Sequence, residues 1–162
     1  MIGGTMTHLI IVRGLIGSGK TTLAKSLANG SHHFNLDDMF IVDGEYKFDQ
    51  SKFQENLEEH NRRIRQVWSL KPQQIVVDGC FTKCIQVVKL LRSLGDLRWL
   101  TLSIETPSTE WANDPFTCAK MNQHAVPLEK ILAQHNVYEA FTIEDVLEAL
   151  ADDLLEQDAL RA

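Results

Sequence analysis

The chain has 162 residues, a length that fits one domain with a sizeable core. Its 44% hydrophobic and 23% charged residues lie near the globular average, which sets aside disordered and membrane-embedded classes. A formal charge of −6 has the wrong sign for a protein that coats nucleic acid nonspecifically, although a polynucleotide end needs only a few local cations.

No apolar run approaches the roughly 20 residues that span a bilayer, and Met1 to Thr5 lacks a signal-peptide pattern. A cytoplasmic protein without membrane contact is expected, of unspecified oligomeric state. Residues 1–6 read as an appended or disordered lead on a single domain covering 1–162. Cys80, Cys84 and Cys118 are odd in number and show no CxxC spacing, so reduced structural thiols are expected.

Along the chain the pattern alternates between strand and helix, which predicts a parallel sheet wrapped by helices. His8 to Val12 is a branched apolar run ending at Gly14, the mark of a buried first strand. A helix is predicted from about Lys20 to Asn29 with Gly30 closing it, then a short strand from His32 to Leu36 that ends at Asp37-Asp38. Asp43 to Tyr46 reads as a turn. Phe53, Leu57, Ile64 and Val67 then recur at helical spacing.

Ile75-Val76-Val77 is a second buried strand, followed by a helix near Lys83 to Ser93. Arg98 to Ile104 alternates as a further strand, and Pro107 ends it. A polar segment runs from there to His124, a helix opens at Pro127, and a last helix begins behind Thr142 within residues 142–162. Its stripe of Ile143, Val146, Leu147, Leu150 and Leu154 is expected to pack on the core, with a dimer seam as the alternative.

Gly14-Leu15-Ile16-Gly17-Ser18-Gly19-Lys20-Thr21 matches G-x-x-x-x-G-K-[ST] between a buried strand and a helix, where its mechanism needs it. Gly14, Gly17 and Gly19 let the backbone fold into an anion nest, and Ser18, Thr21 and Thr22 carry it into the helix N-terminus. Lys20 can reach the β- and γ-phosphates of ATP or GTP. Thr21 offers a hydroxyl to Mg²⁺, and Asp78, closing its apolar strand, is the acid expected beside that metal.

An acceptor hydroxyl needs a base, and Asp37 and Asp38 stand at the carboxyl end of the second strand, the edge where open α/β sheets bind ligands. Asp37 is taken as the base and Asp38 as a cap for the next segment.

With these residues in place, the chain resembles the P-loop polynucleotide kinases, the group of the bacteriophage 5′-hydroxyl kinase and related eukaryotic kinase domains. The resemblance covers roughly residues 8–139. It rests on Gly14 to Thr22, Asn35 to Phe40, Asp43 to Asp49, His60-Asn61 and Cys118 to Val126. It implies an α/β P-loop NTPase three-layer sandwich with a helical lid, ATP and Mg²⁺ as cofactors, and Asp37 as the base on a nucleic-acid 5′ end.

Where the family lid usually carries Lys-Arg-Asn, this chain has Lys120-Met121-Asn122, so the transition-state Arg is missing. Lys120 is taken as its replacement, against the alternative of a solvated lysine. After the metal-side Asp the family often reads Asp-x-Thr-Asn, whereas Asp78-Gly79-Cys80-Phe81 stands here, and Phe40 occupies the place of a phage arginine. Arg62, Arg63 and Arg65 read as a solvated helix face or a phosphate-backbone contact. His60 reads as structural, and His124 as a lid residue with an electrostatic role toward the triphosphate or none. The leading expectation is a 5′-hydroxyl kinase; a small-metabolite kinase of the same fold and a nucleotide-binding module without turnover are the alternatives.

Overall fold

The structure, a computed structural model, describes residues 4–162, so the first half of the expected lead lies outside the described residues. Strand β1 (Thr7–Arg13) is covered on both faces, with Leu9, Ile11 and Val12 fully buried. Only a central parallel strand needs apolar side chains in both directions. It pairs in parallel with β5 (Gln74–Gly79) on one side and β6 (Leu100–Glu105) on the other, and β5 pairs with β2 (His32–Asn35). The order is β2-β5-β1-β6.

Parallel neighbours require crossovers, and helices supply them. The alternation of β1 and β5 sorts their side chains into two cores. Leu9, Ile11, Ile75 and Val77 meet Ile64 and Trp68 of α2 (Phe53–Ser69), Val87, Val88 and Leu91 of α3 (Cys84–Leu94), and Val146 and Leu150 of α6 (Ile143–Arg161). Ile10, Val12 and Val76 face the other way, onto Ala24 and Ala28 of α1 (Lys20–Ala28). Those small residues let α1 lie close to the sheet, and three layers result. A third cluster joins Leu15 to Cys118 of α4 (Pro115–Met121) and Ile131 of α5 (Leu128–Asn136), docking this helical pair beside the loop that follows β1.

Four local expectations change. The polar segment after Pro107 contains α4, only seven residues long and too short to show a period; Asp114 caps it, with Pro115 at its first position. Asp43 to Tyr46 belongs to a small hairpin, β3 (Ile41–Val42) and β4 (Glu45–Tyr46), rather than a bare turn. Strand β2 stops at Asn35, and a 3-10 turn (Leu36–Phe40) follows; its cap is Asn35, whose side chain accepts from Asp37 N, so Asp38 does not fill that role. The stripe on α6 packs only at its start: Val146 and Leu150 are buried, while Leu147 and Leu154 are about half exposed.

Candidate active site

Strand β1 delivers the chain into the turn Gly14 to Gly19, where Gly17 (φ 82°) and Gly19 (φ 97°) take left-handed conformations that suit glycine. A Cβ on Gly14 would sit 2.6 Å from Ser18 Oγ, and one on Gly17 would collide with the carbonyl of Cys118 in α4. Outside residues clamp the turn. Gln134 Oε1 accepts from Ile16 N at 3.0 Å, Trp111 Nε1 donates to Gly17 O at 3.0 Å, and Thr109 Oγ1 donates to Ser18 O at 2.8 Å.

Lys20 is only 6% exposed, and its ammonium donates to Leu15 O across a long 3.5 Å. Beside it, Ser18 Oγ is buried without a hydrogen-bond partner among the described residues. Buried donors in a glycine turn ahead of a helix N-terminus form a donor set that fits phosphate oxygens.

Register brings the carboxylate to this turn, because Asp78 lies opposite Val12 on one side and Asn35 on the other. Asp78 is 1% exposed and fully engaged. Its Oδ2 accepts from Thr21 Oγ1 at 2.7 Å and from Asn35 Nδ2 at 3.1 Å, and its Oδ1 lies 2.6 Å from His33 Nε2. Asn35 Nδ2 also reaches Thr21 Oγ1 at 3.2 Å. The adjacent hydroxyl and carboxylate are hard oxygen ligands, the type that Mg²⁺ takes.

The same Asn35 amide turns its oxygen toward the segment that follows β2, where Oδ1 accepts from Asp37 N at 2.8 Å. Asp37 is thereby set at the first turn of the 3-10 segment with its carboxylate one-third exposed. Tyr46 Oη donates to Asp37 Oδ1 at 3.5 Å, and His124 Nε2 stands 3.9 Å from Asp37 Oδ2. The Tyr46 and His124 rings stack, with centroids 4.0 Å apart and planes at 27°. Burial, with the charge of Asp37, pushes the Tyr46 phenol up to about 12, so it stays protonated and donates. Cys80, half-buried after β5, feels the charges of Lys20, Asp37 and Asp78, and burial raises its thiol.

The surrounding architecture is shared with solved structures. A candidate kinase from Chloroflexus aurantiacus J-10-fl superposes with a TM-score of 0.57 at 17% identity, over 84% of this chain and 80% of that one. A gluconokinase from Sinorhizobium meliloti 1021 does so at 0.53 and 18% identity, over 96% and 97%. A chain of the Pnkp1/Rnl/Hen1 complex gives 0.56 at 12% identity, over 78% and 43%. The fold is that of the P-loop kinases. In sequence, the chain is 29% identical over 136 residues to human NEDD4-binding protein 2, covering 82% of this chain but only 8% of that protein's length. No family model matches. Among the described residues no helix is long and apolar enough to cross a membrane.

Of the residues singled out in the sequence, Lys20, Thr21, Asp78 and Asp37 converge on this P-loop fold's cleft. Thr22 is exposed on α1, and Lys120 and Met121 are exposed on the last turn of α4, without a hydrogen bond to the glycine turn. Arg62 and Arg63 both bind Glu59, and Arg65 reaches Ser93 O, which makes them a solvated face. His60 is buried, edge-on to Phe34, and burial lowers its pKa. His124 lies against Asp37. Sequence reasoning passed over His33, Tyr46, Trp111 and Gln134; Tyr46 alone carried a signal, an aromatic closing a Gly44 turn within the quoted motif.

Proposed function

We propose that the chain is an ATP- or GTP-dependent phosphotransferase acting on the 5′-hydroxyl of a nucleic acid or oligonucleotide end. The observation that carries this reading is the Asn35 amide, which holds the Thr21–Asp78 pair with its nitrogen and Asp37 with its oxygen. One side chain thus sets a base next to a phosphate cradle, the minimum a kinase needs.

In this scheme the glycine turn binds the triphosphate through its N–H groups, and Lys20 offsets charge on the β- and γ-oxygens. Thr21 and Asp78 would hold Mg²⁺, which supplies further charge neutralisation when bound. Asp37 takes the acceptor's proton as the acceptor oxygen bonds to the γ-phosphorus and the bridging bond to the departing nucleoside diphosphate breaks. Lys120 is assigned the lid cation, carried by the helix whose Cys118 carbonyl packs on Gly17.

The motif resemblance and the fold likeness to the Pnkp1/Rnl/Hen1 chain support the nucleic-acid acceptor. A small-metabolite acceptor is favoured by a different observation: the gluconokinase matches this chain over nearly its whole length. Transfer of labelled phosphate to 5′-hydroxyl oligonucleotides, run beside sugars and polyols, decides between them. Label on the oligonucleotide is expected. Label only on a polyol selects the second reading, and bound nucleotide with no transfer leaves a binding module.

A further inference from the structure

Two side chains that this scheme leaves unused close on its base. Tyr46 comes from the β3–β4 hairpin and His124 from the segment after α4, so two separate segments bring a stacked pair of rings to Asp37. Their polar tips divide the carboxylate between them, Tyr46 Oη at 3.5 Å from Oδ1 and His124 Nε2 at 3.9 Å from Oδ2.

The placement of Tyr46 is not loose. The backbone of Tyr46 pairs with Ile41, its ring meets Phe40 edge-on at 6.4 Å, and Phe40 is itself packed 5.0 Å from Phe48. Its remaining support is the parallel stack on His124 at 4.0 Å. The contact with Asp37 differs in kind: it is a long hydrogen bond between a phenol and a carboxylate, weak by geometry and donated by a hydroxyl. A hydroxyl donating to this carboxylate is what an acceptor also must present.

We propose that Tyr46 is a specificity-determining residue whose hydroxyl holds the acceptor's place on Oδ1 of Asp37, with His124 positioning it, so that water is kept off that oxygen until an acceptor displaces the phenol. This rests on the reading of Asp37 as the base. An acceptor brings binding energy from the rest of its structure and can displace a weak contact; water brings none. Without the phenol, water takes its place on Oδ1. Its oxygen then bonds to the γ-phosphorus, its proton passes to Asp37, and the bridging bond breaks to give ADP and phosphate, the side reaction a closed kinase site suppresses.

The test is phosphate release from Mg–ATP by the full chain with no acceptor present. Wild type is compared with Tyr46→Phe, His124→Leu, His124→Phe and the double variant Tyr46→Phe/Asp37→Asn, and the affinity of a nonhydrolysable ATP analogue is measured for each. Tyr46→Phe and His124→Leu should raise release by about twofold to tenfold, the span of one net hydrogen bond, with affinity unchanged. His124→Phe keeps a stacking ring and should restore the wild-type rate, a rescue that a general loss of structure would not show. Adding Asp37→Asn should cancel the rise. Wild-type release from Tyr46→Phe with the analogue bound overturns the proposal, as does a rise that survives Asp37→Asn. Failure of wild type to bind the analogue is a separate result, which removes the phosphotransferase reading and this proposal with it.

Discussion

Replacing Arg13 with Met tests whether the phosphate turn and the loop after Asp78 are held by one cation. The guanidinium is 3% exposed between the rings of Tyr138 and Phe141, at 4.2 Å and 3.8 Å from their centroids. It donates to Phe81 O at 3.0 Å, Thr82 O at 3.4 Å and Glu139 O at 2.7 Å. Methionine fills similar space and donates nothing. Thr82 O keeps the bond it accepts from Glu139 N at 2.7 Å, which leaves two carbonyls newly unpaired. Both carbonyls are only part-buried, so each costs about 1–2 kcal/mol, the lower part of the range for an orphaned group, and the loss is about 2–4 kcal/mol. The cation–π contacts add about 1 kcal/mol, so about 3–5 kcal/mol is expected overall. With a urea slope of about 2 kcal/mol per molar, the unfolding midpoint should fall by about 1.5–2.5 M. A fall below about 0.5 M would refute the idea that Arg13 ties these loops together.

Lys20→Ala should abolish Mg–ATP affinity measurable by calorimetry while the far-ultraviolet circular dichroism stays native, because it deletes the one ammonium buried at the turn. Asp37→Asn should retain nucleotide and lower transfer by on the order of 10²-fold or more, whereas exposed Asp38→Asn should cost far less; steady-state rates in the reverse order would shift the base by one residue. Met121→Arg should raise the single-turnover rate, since a transition-state cation is worth about 10³-fold or more when fully placed. If Lys120 already fills that place, Lys120→Ala is instead the damaging change, and the two variants measured together show which.

The layered fold was legible because β1 and β5 carry branched apolar residues on both faces and their neighbours carry helical stripes, patterns that burial itself imposes. The glycine turn with Lys20 and Thr21 was legible for a related reason, since such a turn needs its residue types in a fixed local order, and Asp78 was legible because it closes an apolar strand. What could not be read are contacts between distant segments. Trp111 and Gln134 bind the turn from 94 and 118 residues away, and nothing near them in sequence announces it. His33 reaches Asp78 only because β2 and β5 are neighbours in the sheet. Helix α4 escaped because seven residues make two turns, fewer than a hydrophobic period needs to show itself.

Asn35 has a consequence for how this protein can age. Its planar amide acts as a ruler between Asp78 and Asp37, and both ends are fixed by chemistry: a main-chain N–H can only donate to it, and a carboxylate can only accept from it. Hydrolysis of that amide to Asp would add a single oxygen-for-nitrogen change and no bulk. It would nevertheless turn a donor into a second anion facing Asp78 at hydrogen-bond distance, while sparing the bond to Asp37 N. Damage at this one nitrogen would therefore break up the Thr21–Asp78 pair and leave Asp37 in place, with the bulk of the fold unchanged.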